Sequence, residues 1–511
     1  MALIKIQGRT KGKILPSSLP LIKADSQEGL LNNRAGTDLT PLFYPQNIAV
    51  IGVSHNKVGG IKYIVAHEVS GFSGGLYPIN PNYQEIDGRR IYPSLEDPDV
   101  PDIDLAIIAV PAPNVPDVVR DCHRKGVKFA IIFSSGFEES GRDDLDRELR
   151  AAIAEGPTRI VGPNCLGVFN QESRVNFYYA MSFDLPGNIS FVSQSGGTTA
   201  RLLVALQSMG IGLQNAVSIG NSIDVSIGEM LLYFKDDPKT GLIVLYMENM
   251  EKEKGPEFLA ALQATTRVKP VIIWKGGQTD VGIKAAKSHT GGLAGSYRIW
   301  QAALRQYGVI VAENFEEMRD FAAAMSIHPP LPRGNRVGIV LSGGGIGVEF
   351  ADAICKQGLE VPELTAETQA KLAEYIPDIN SSFRNPVDLG EYGYVPTYYG
   401  QALKAIAEDA NVDAILTVRE PERSTWFENS LQLTDFDGQN LVVLKSATEV
   451  GKPIFMNLSP NSELPEDYAK RYNFRKRLML EDGIPTIDYT PHAAKLLKQM
   501  AAYQRYLSQF E

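Results

Sequence analysis

Three cysteines in 511 residues, Cys122, Cys165 and Cys355, are too few and too far apart for a disulfide framework. They form neither a CxxC pair nor a His–Cys cluster, which argues against a zinc site and leaves the metal expectation at none. Cys165, with no basic neighbour in sequence, reads as a small packed thiol. No apolar run approaches the roughly 20 residues that span a bilayer. The opening stretch, MALIKIQGRTKGKILPSSLP, has scattered basic residues but no apolar centre of signal-peptide length. A reducing, cytoplasmic setting fits these absences. No basic block offsets the net charge of -10, so an electrostatic grip on nucleic acid is not expected.

What the chain has in quantity is glycine. Its 46 glycines cluster after short apolar runs, where backbone is approached closely by ligands or other elements. Apolar content of 44% and charged content of 22% are those of an ordinary globular protein, and the length predicts about three to four domains. Residues 1–40 lack periodicity and read as an extended arm. From Ile48 onward, β-branched runs alternate with amphipathic stretches, the pattern of a parallel α/β sheet. The strand expectations are 47–53, 75–80, 105–111, 128–134, 158–163, 188–194, 242–248, 269–275, 336–342, 413–418 and 452–458. Helices are expected at 115–126, 198–210, 228–237 and 348–358.

A strand running through a Gly-rich loop into a helix occurs three times: IAVIGVSHNKVGG, ISFVSQSGGTTA and VGIVLSGGGIGVEF. Three openings predict three domains, which we bound at 41–172, 173–330 and 331–511, with PPLPRGNR as the last linker. Such a turn presents unpaired N–H groups at the positive end of a helix, a ready phosphate site. The first loop departs from the GxGxxG dinucleotide fingerprint, with Ser54 at the second glycine, and no ribose-binding acid follows, which weakens a reading as an NAD-dependent oxidoreductase. In the second loop Ser193, Ser195 and Gly196 can converge on one phosphate, or Ser195 can simply cap the helix.

Of the six histidines, five fall in contexts that read as surface helices or linkers. His289 differs, standing in AAKSHTGGLAGSY, where small residues and Gly291 and Gly292 predict an open loop. A neutral imidazole there is a competent nucleophile toward phosphorus when a carboxylate steadies its other nitrogen. Glu248, at the end of the apolar strand LIVLYME, is the candidate, because strand C-termini face the ligand crevice of parallel sheets.

In order along the chain, VIGVSHNKVGG, VPAPNV, FSSGFEE, GPNCLGVFN, SQSGGT, GNSIDV, LYMENM, SHTGGLAGS, LSGGGIGVEFAD and NPVDL resemble the nucleoside-diphosphate-forming acyl-CoA synthetases, relatives of succinyl-CoA synthetase. The likeness is to the alpha subunit of ADP-forming acetate–CoA ligase, over roughly residues 41 to 511. It implies a Rossmann-like CoA-binding domain followed by two flavodoxin-like domains. It places Gly52, Val53, Ser54, Asn80 and Pro81 at CoA, and Val110, Pro111, Ser135 and Gly136 beside the pantetheine arm. Asn164 falls near the thiol. It makes His289 the phosphorylated residue, Glu248 its stabiliser, and Ser193, Ser195, Gly196, Gly291 and Gly292 the phosphate-binding set.

The implied reaction is reversible: acyl-CoA, phosphate and ADP give carboxylate, CoA and ATP, through acyl phosphate and phosphohistidine. No ATP-grasp region is found in the chain, so Mg²⁺ and ADP or ATP are expected on a separate ATP-grasp beta-type partner, in a hetero-oligomer or dimer. VREPERSTW (418–426) departs from the pattern by carrying charges at an expected apolar strand end. The competing expectation is a non-catalytic CoA-binding regulatory or scaffold protein, which needs neither His289 nor Glu248.

Overall fold

The computed structural model describes residues 38–178, 182–185, 187–290, 297–423, 430, 432, 436–458, 462 and 464–510; for 252, 286–290, 423, 436, 437, 440, 441 and 443 the backbone alone is described. The arm at 1–37 lies outside the described residues.

The first sheet joins β1 (Asn47–Ile51), β2 (Gly75–Ile79), β5 (Leu105–Ile108), β6 (Phe129–Ile132) and β7 (Arg159–Val161) in the order β2-β1-β5-β6-β7. All its pairs are parallel. A separate hairpin, β3 (Glu85–Ile86) and β4 (Arg89–Arg90), stands outside it. The second sheet holds β8 (Gly167–Asn170), β9 (Ile189–Ser193), β10 (Leu213–Ser218), β11 (Leu242–Met247), β12 (Val271–Lys275) and β13 (Ile310–Ala312). Their order is β13-β12-β11-β9-β10-β8, parallel except for β8 at the edge. The third sheet is parallel: β14 (Val337–Leu341), β15 (Val387–Asp388), β16 (Ala414–Val418) and β17 (Ile454–Asn457), ordered β15-β14-β16-β17.

Every strand expected from an apolar run is present. Strands such as β5, β6 and β9 are buried along their whole length, as doubly covered parallel strands must be. The helices cover them with apolar stripes: Val115, Val119 and Cys122 lie at helical spacing on the buried face of Val115–Lys125, which stops at the left-handed Gly126. Helix Ile227–Asp236 starts with a capping box between Ser226 and Glu229.

The strands the sequence reading missed are short or polar. In β10, Asn215 is buried and bonded to Asn170 of β8 and to Ser190 of β9, so a polar ladder stands where hydropathy sees a loop. β8 also belongs to the second sheet although it precedes residue 173.

Contacts between the first two sheets run through the segment 219–226. Ile223 and Val225 donate to the carbonyls of Gly162 and Ile160. Arg159 sits between Asp224 at 2.9 Å and Glu229 at 2.9 Å. The last helix, Thr490–Leu507, ties the third domain to the second through Lys495 on Glu317 and His492 on Asp320. Among the described residues no helix is long and apolar enough to cross a membrane.

The charged stretch after β16 is folded inward. Arg419 is buried against the Tyr399 ring and donates to the Gly393 carbonyl, and Glu422 pairs with buried Arg471.

His67 corrects the reading of the histidines as surface residues, because it is fully buried. Its Nδ1–H donates to the Tyr63 carbonyl at 2.7 Å, and its Nε2 accepts the Asn176 amide at 3.4 Å. Burial lowers its pKa to about 4, the bond to Tyr63 only partly opposing that. Between about pH 6.5 and 4 the unfolded chain therefore binds one proton more than the native one. Stability from this group is complete above pH 6.5 and is lost as the pH falls toward 4. A His67 imidazole resonance titrating near 6.5 in the folded chain would refute this.

Candidate functional site

The loops at the C-terminal ends of β1, β2, β5 and β6 enclose a cavity of about 1070 Å³ at the point where strand order reverses. Its wall includes Gly52, Ser54, Asn80, Pro81, Val110, Pro111, Ser135 and Asn164, so these sequence-predicted residues are brought together. Val53 is not in the wall: it is buried, and its carbonyl accepts the Asn80 side-chain amide at 2.8 Å. Gly136 also stands behind the wall, its amide donating to Glu139. Phe133, Asn56 and Val58 complete parts of the wall that the sequence reading missed.

Gly52 has a positive φ of 90°, and a Cβ there would lie 2.6 Å from the Ala109 carbonyl. Only glycine lets the first loop pass so close to the next strand and keep the crevice open.

The Asn164 end of this cavity is fastened to the second sheet. Leu166 N–H donates to Ser218 Oγ at 3.1 Å, and Asn221 N–H donates to the Pro163 carbonyl at 3.0 Å. The Leu166 side chain covers Gly196, where a Cβ would meet it at 2.9 Å. Glu139 adds a bridge, accepting the Gly136 and Phe137 amides on one oxygen and the Asn221 amide at 2.7 Å on the other. The loops GPNC and SQSGG thus form one surface.

In the second loop, Ser195 caps helix Gly196–Ser208 by accepting the Thr198 amide at 3.2 Å. The first-turn amides, including Gly196, have no acceptor inside the helix and face the crevice end of β9. Ser193 is fully buried, and its hydroxyl is spent on the Ser195 backbone, donating to the carbonyl and accepting the amide. Ser193 therefore shapes the loop from behind.

Glu248 follows β11, beside β9 at the sheet's own reversal of order. Its amide donates to Gln194 Oε1 at 2.6 Å, and its carboxylate accepts the Tyr246 hydroxyl at 3.0 Å. Lys275, at the end of β12, is 1% exposed and donates its ammonium to the Glu248 and Gly276 carbonyls. Burial lowers its pKa to about 8, opposed by the nearby Glu248 charge. Lys275 and Gln194 went unassigned from sequence, although a lysine ending an apolar strand is the same signal that marked Glu248.

His289 is the penultimate residue of helix Asp280–Thr290, so its backbone is helical where an open loop was expected. The run AAKSH carries good helix formers up to the glycines, which explains the extension. That helix packs against the turn Glu138–Ser140, next to Ser135 in the cavity wall. The His289 side chain and all of Gly291 and Gly292 lie outside the described residues. Cys165 is buried, with its thiol on the Ile132 and Val161 carbonyls and its pKa raised by burial to about 12, a packed thiol as expected. Among the described residues no group of three or more His, Cys, Asp or Glu could hold a metal ion.

The first two sheets, read as families, define a CoA-binding α/β protein of the succinyl-CoA ligase type. A CoA binding domain matches residues 46–171, and a succinyl-CoA ligase like flavodoxin domain matches residues 186–325. An ADP-forming acetate–CoA ligase I subunit alpha of Pyrococcus furiosus is 34% identical over 92% of this chain and 98% of its own length. The chain belongs to the family of ADP-forming acetate–CoA ligases. An ADP-forming acetate–CoA ligase I of Archaeoglobus fulgidus is 39% identical over 74% of this chain, and the chain spans about half (54%) of that relative. Among solved structures, the dinucleotide forming acetyl-coenzyme A synthetase 1 of Ca. Korarchaeum cryptofilum, in complex with phosphate and ADP, superposes with a TM-score of 0.78. It is 29% identical, covering 93% of this chain and 99% of its own.

Proposed function

We propose that this chain is the CoA-binding, alpha-type subunit of an ADP-forming acyl-CoA ligase, working in the cytoplasm. The reading is carried by one observation: the Asn164 end of the cavity is continuous, through Leu166 and Asn221, with the Ser195–Gly196 loop. A thioester lying along the first domain would end where a helix N-terminus is ready to hold phosphate. Gly52 supports CoA as the occupant, since the loop's backbone, freed of any side chain, is the part that approaches the crevice.

In the proposed sequence a phosphate oxygen attacks the thioester carbonyl carbon, the C–S bond breaks, and CoA leaves as a thiolate that takes up a proton. The product is an acyl phosphate. An imidazole nitrogen of His289 then attacks phosphorus, the P–O bond to the acyl group breaks, and the carboxylate is released. Glu248, fixed by Tyr246, Gln194 and Lys275, holds the proton of the other ring nitrogen and so steadies the imidazolium. Gly196 and Ser195 hold the phosphoryl group, with Gly291 and Gly292 beside His289. The phosphoryl group finally passes to ADP on a separate ATP-grasp chain, where we also place Mg²⁺. The alpha-subunit name of the Pyrococcus relative supports a partner.

The test is incubation of the full chain with labelled inorganic phosphate and a panel of acyl-CoAs. We expect acid-labile, base-stable label, discharged by ADP once an ATP-grasp partner is present. CoA binding without label for any acyl-CoA would leave the scaffold reading instead.

A further inference from the structure

Among the described residues Lys62 has no acidic partner, in a place that disfavours a cation. It is the second residue of helix Ile61–Ser70, whose first turn contains no acid. A positive side chain at the positive end of a helix is unfavourable. Among the described residues no carboxylate forms an ion pair with Lys62, and burial lowers its pKa with no charged partner contributing. Its ammonium lies 3.7 Å from the Phe133 ring centroid and 4.9 Å from that of Tyr63. An aromatic face compensates a desolvated cation only in part.

The direction in which this cation stands is set by its neighbours. Phe133 lines the CoA cavity beside Ser134, Ser135 and Asn164. Tyr63 donates its hydroxyl to the Leu166 carbonyl at 2.9 Å, and Leu166 is the residue that covers Gly196. Lys62 is thus tied, through Phe133 and Tyr63, to the wall that joins the thiol end of the cavity to the phosphate loop. Helices Ile61–Ser70 and Gly196–Ser208 thus both begin beside Leu166, and the partly buried Lys62 ammonium lies on a ring of the cavity wall, so an oxyanion arriving there meets two positive helix ends and one cation.

Resting on the ligase reading above, we infer that Lys62 receives the inorganic phosphate that attacks the thioester and holds its charge beside the reacting carbonyl. Lys62 thereby becomes a phosphate-binding residue contributed by the first domain.

The experiment uses the full chain as wild type, K62M and K62R. The KM for phosphate is read from label incorporation with a fixed acyl-CoA, and CoA and pantetheine affinities come from calorimetry. In K62M we expect the phosphate KM to rise about tenfold while the CoA affinity stays within about twofold. K62R should recover most of the loss. K62M should melt no lower than wild type, because the first turn is relieved of a charge. An unchanged phosphate KM overturns the inference. So does a CoA affinity about tenfold weaker with pantetheine unaffected, since the ammonium would then serve the CoA diphosphate. A wild-type chain that binds CoA but takes no label overturns the ligase reading itself, and this inference with it.

Discussion

His289→Asn is expected to take up no acid-labile phosphate, a fall of at least about a thousandfold, as follows from removing the proposed nucleophile. The amide of asparagine offers no lone pair basic enough to attack phosphorus. Binding of CoA should be untouched, because the cavity wall is built by the first domain. Glu248→Gln provides the graded companion. The Gln194 and Lys275 contacts engage only the Glu248 backbone, so this change removes a charge without moving the strand end. The Gln194 contact would persist and the phosphoenzyme should form about a hundredfold more slowly. Quantifying label by acid and base lability in the three proteins checks both. Full labelling of His289→Asn would move the phosphoryl carrier elsewhere.

Gly220→Ala is expected to slow phosphoenzyme formation by about a hundredfold while leaving the CoA cavity intact except at its Asn164 end. Gly220 has φ of 58° and directly follows Ile219, whose amide closes on Ser193. A Cβ at this position would lie 2.1 Å from the Pro163 carbonyl and 2.6 Å from the Asn164 carbonyl. Those oxygens belong to the loop at the thiol end and cannot yield without moving Asn164 away from the Gly196 loop. A displacement near 1 Å between the two reacting centres is enough for that loss. Gly255→Ala, whose added carbon meets nothing within 4 Å, should label at the wild-type rate. Single-turnover labelling alongside CoA calorimetry separates the outcomes. A Gly220→Ala chain that labels normally would mean that the two loops need not touch.

The parts legible in the sequence were those with a short-range signature. Apolar runs marked the parallel strands because both faces are buried, and the end of LIVLYME marked Glu248 because an acid there has no packing role. The loops carrying Gly52, Ser54, Asn80, Pro111 and Asn164 were recognisable as loops, and folding gathers them into one cavity. The contacts that join the cavity to the Ser195–Gly196 loop were not legible. Leu166 on Gly196, Asn221 on Pro163, and Glu139 on Asn221 depend on where two sheets meet, and no local pattern encodes that meeting. Lys62 escaped for a related reason. A lysine near a helix start looks ordinary until its ammonium is found over Phe133 with no acid in the helix's first turn. β10 was hidden by Gln214 and Asn215, both buried, the Asn215 side chain bonding to Asn170 and Ser190 of the neighbouring strands.

The edge strand β8 bears on how this architecture can be inherited. The chain leaves the first sheet after Val161 and enters the second at Gly167, so the only passage between them is the segment that carries Asn164 and Leu166. A recombination event that kept each sheet whole would have to break the gene inside that passage, cutting through the proposed reaction site. One placed later would strand Val168 and Phe169, both buried, on a module that has no β10 to pair with them. The two sheets are thus poor candidates for separate shuffling and should travel through evolution as a single heritable block.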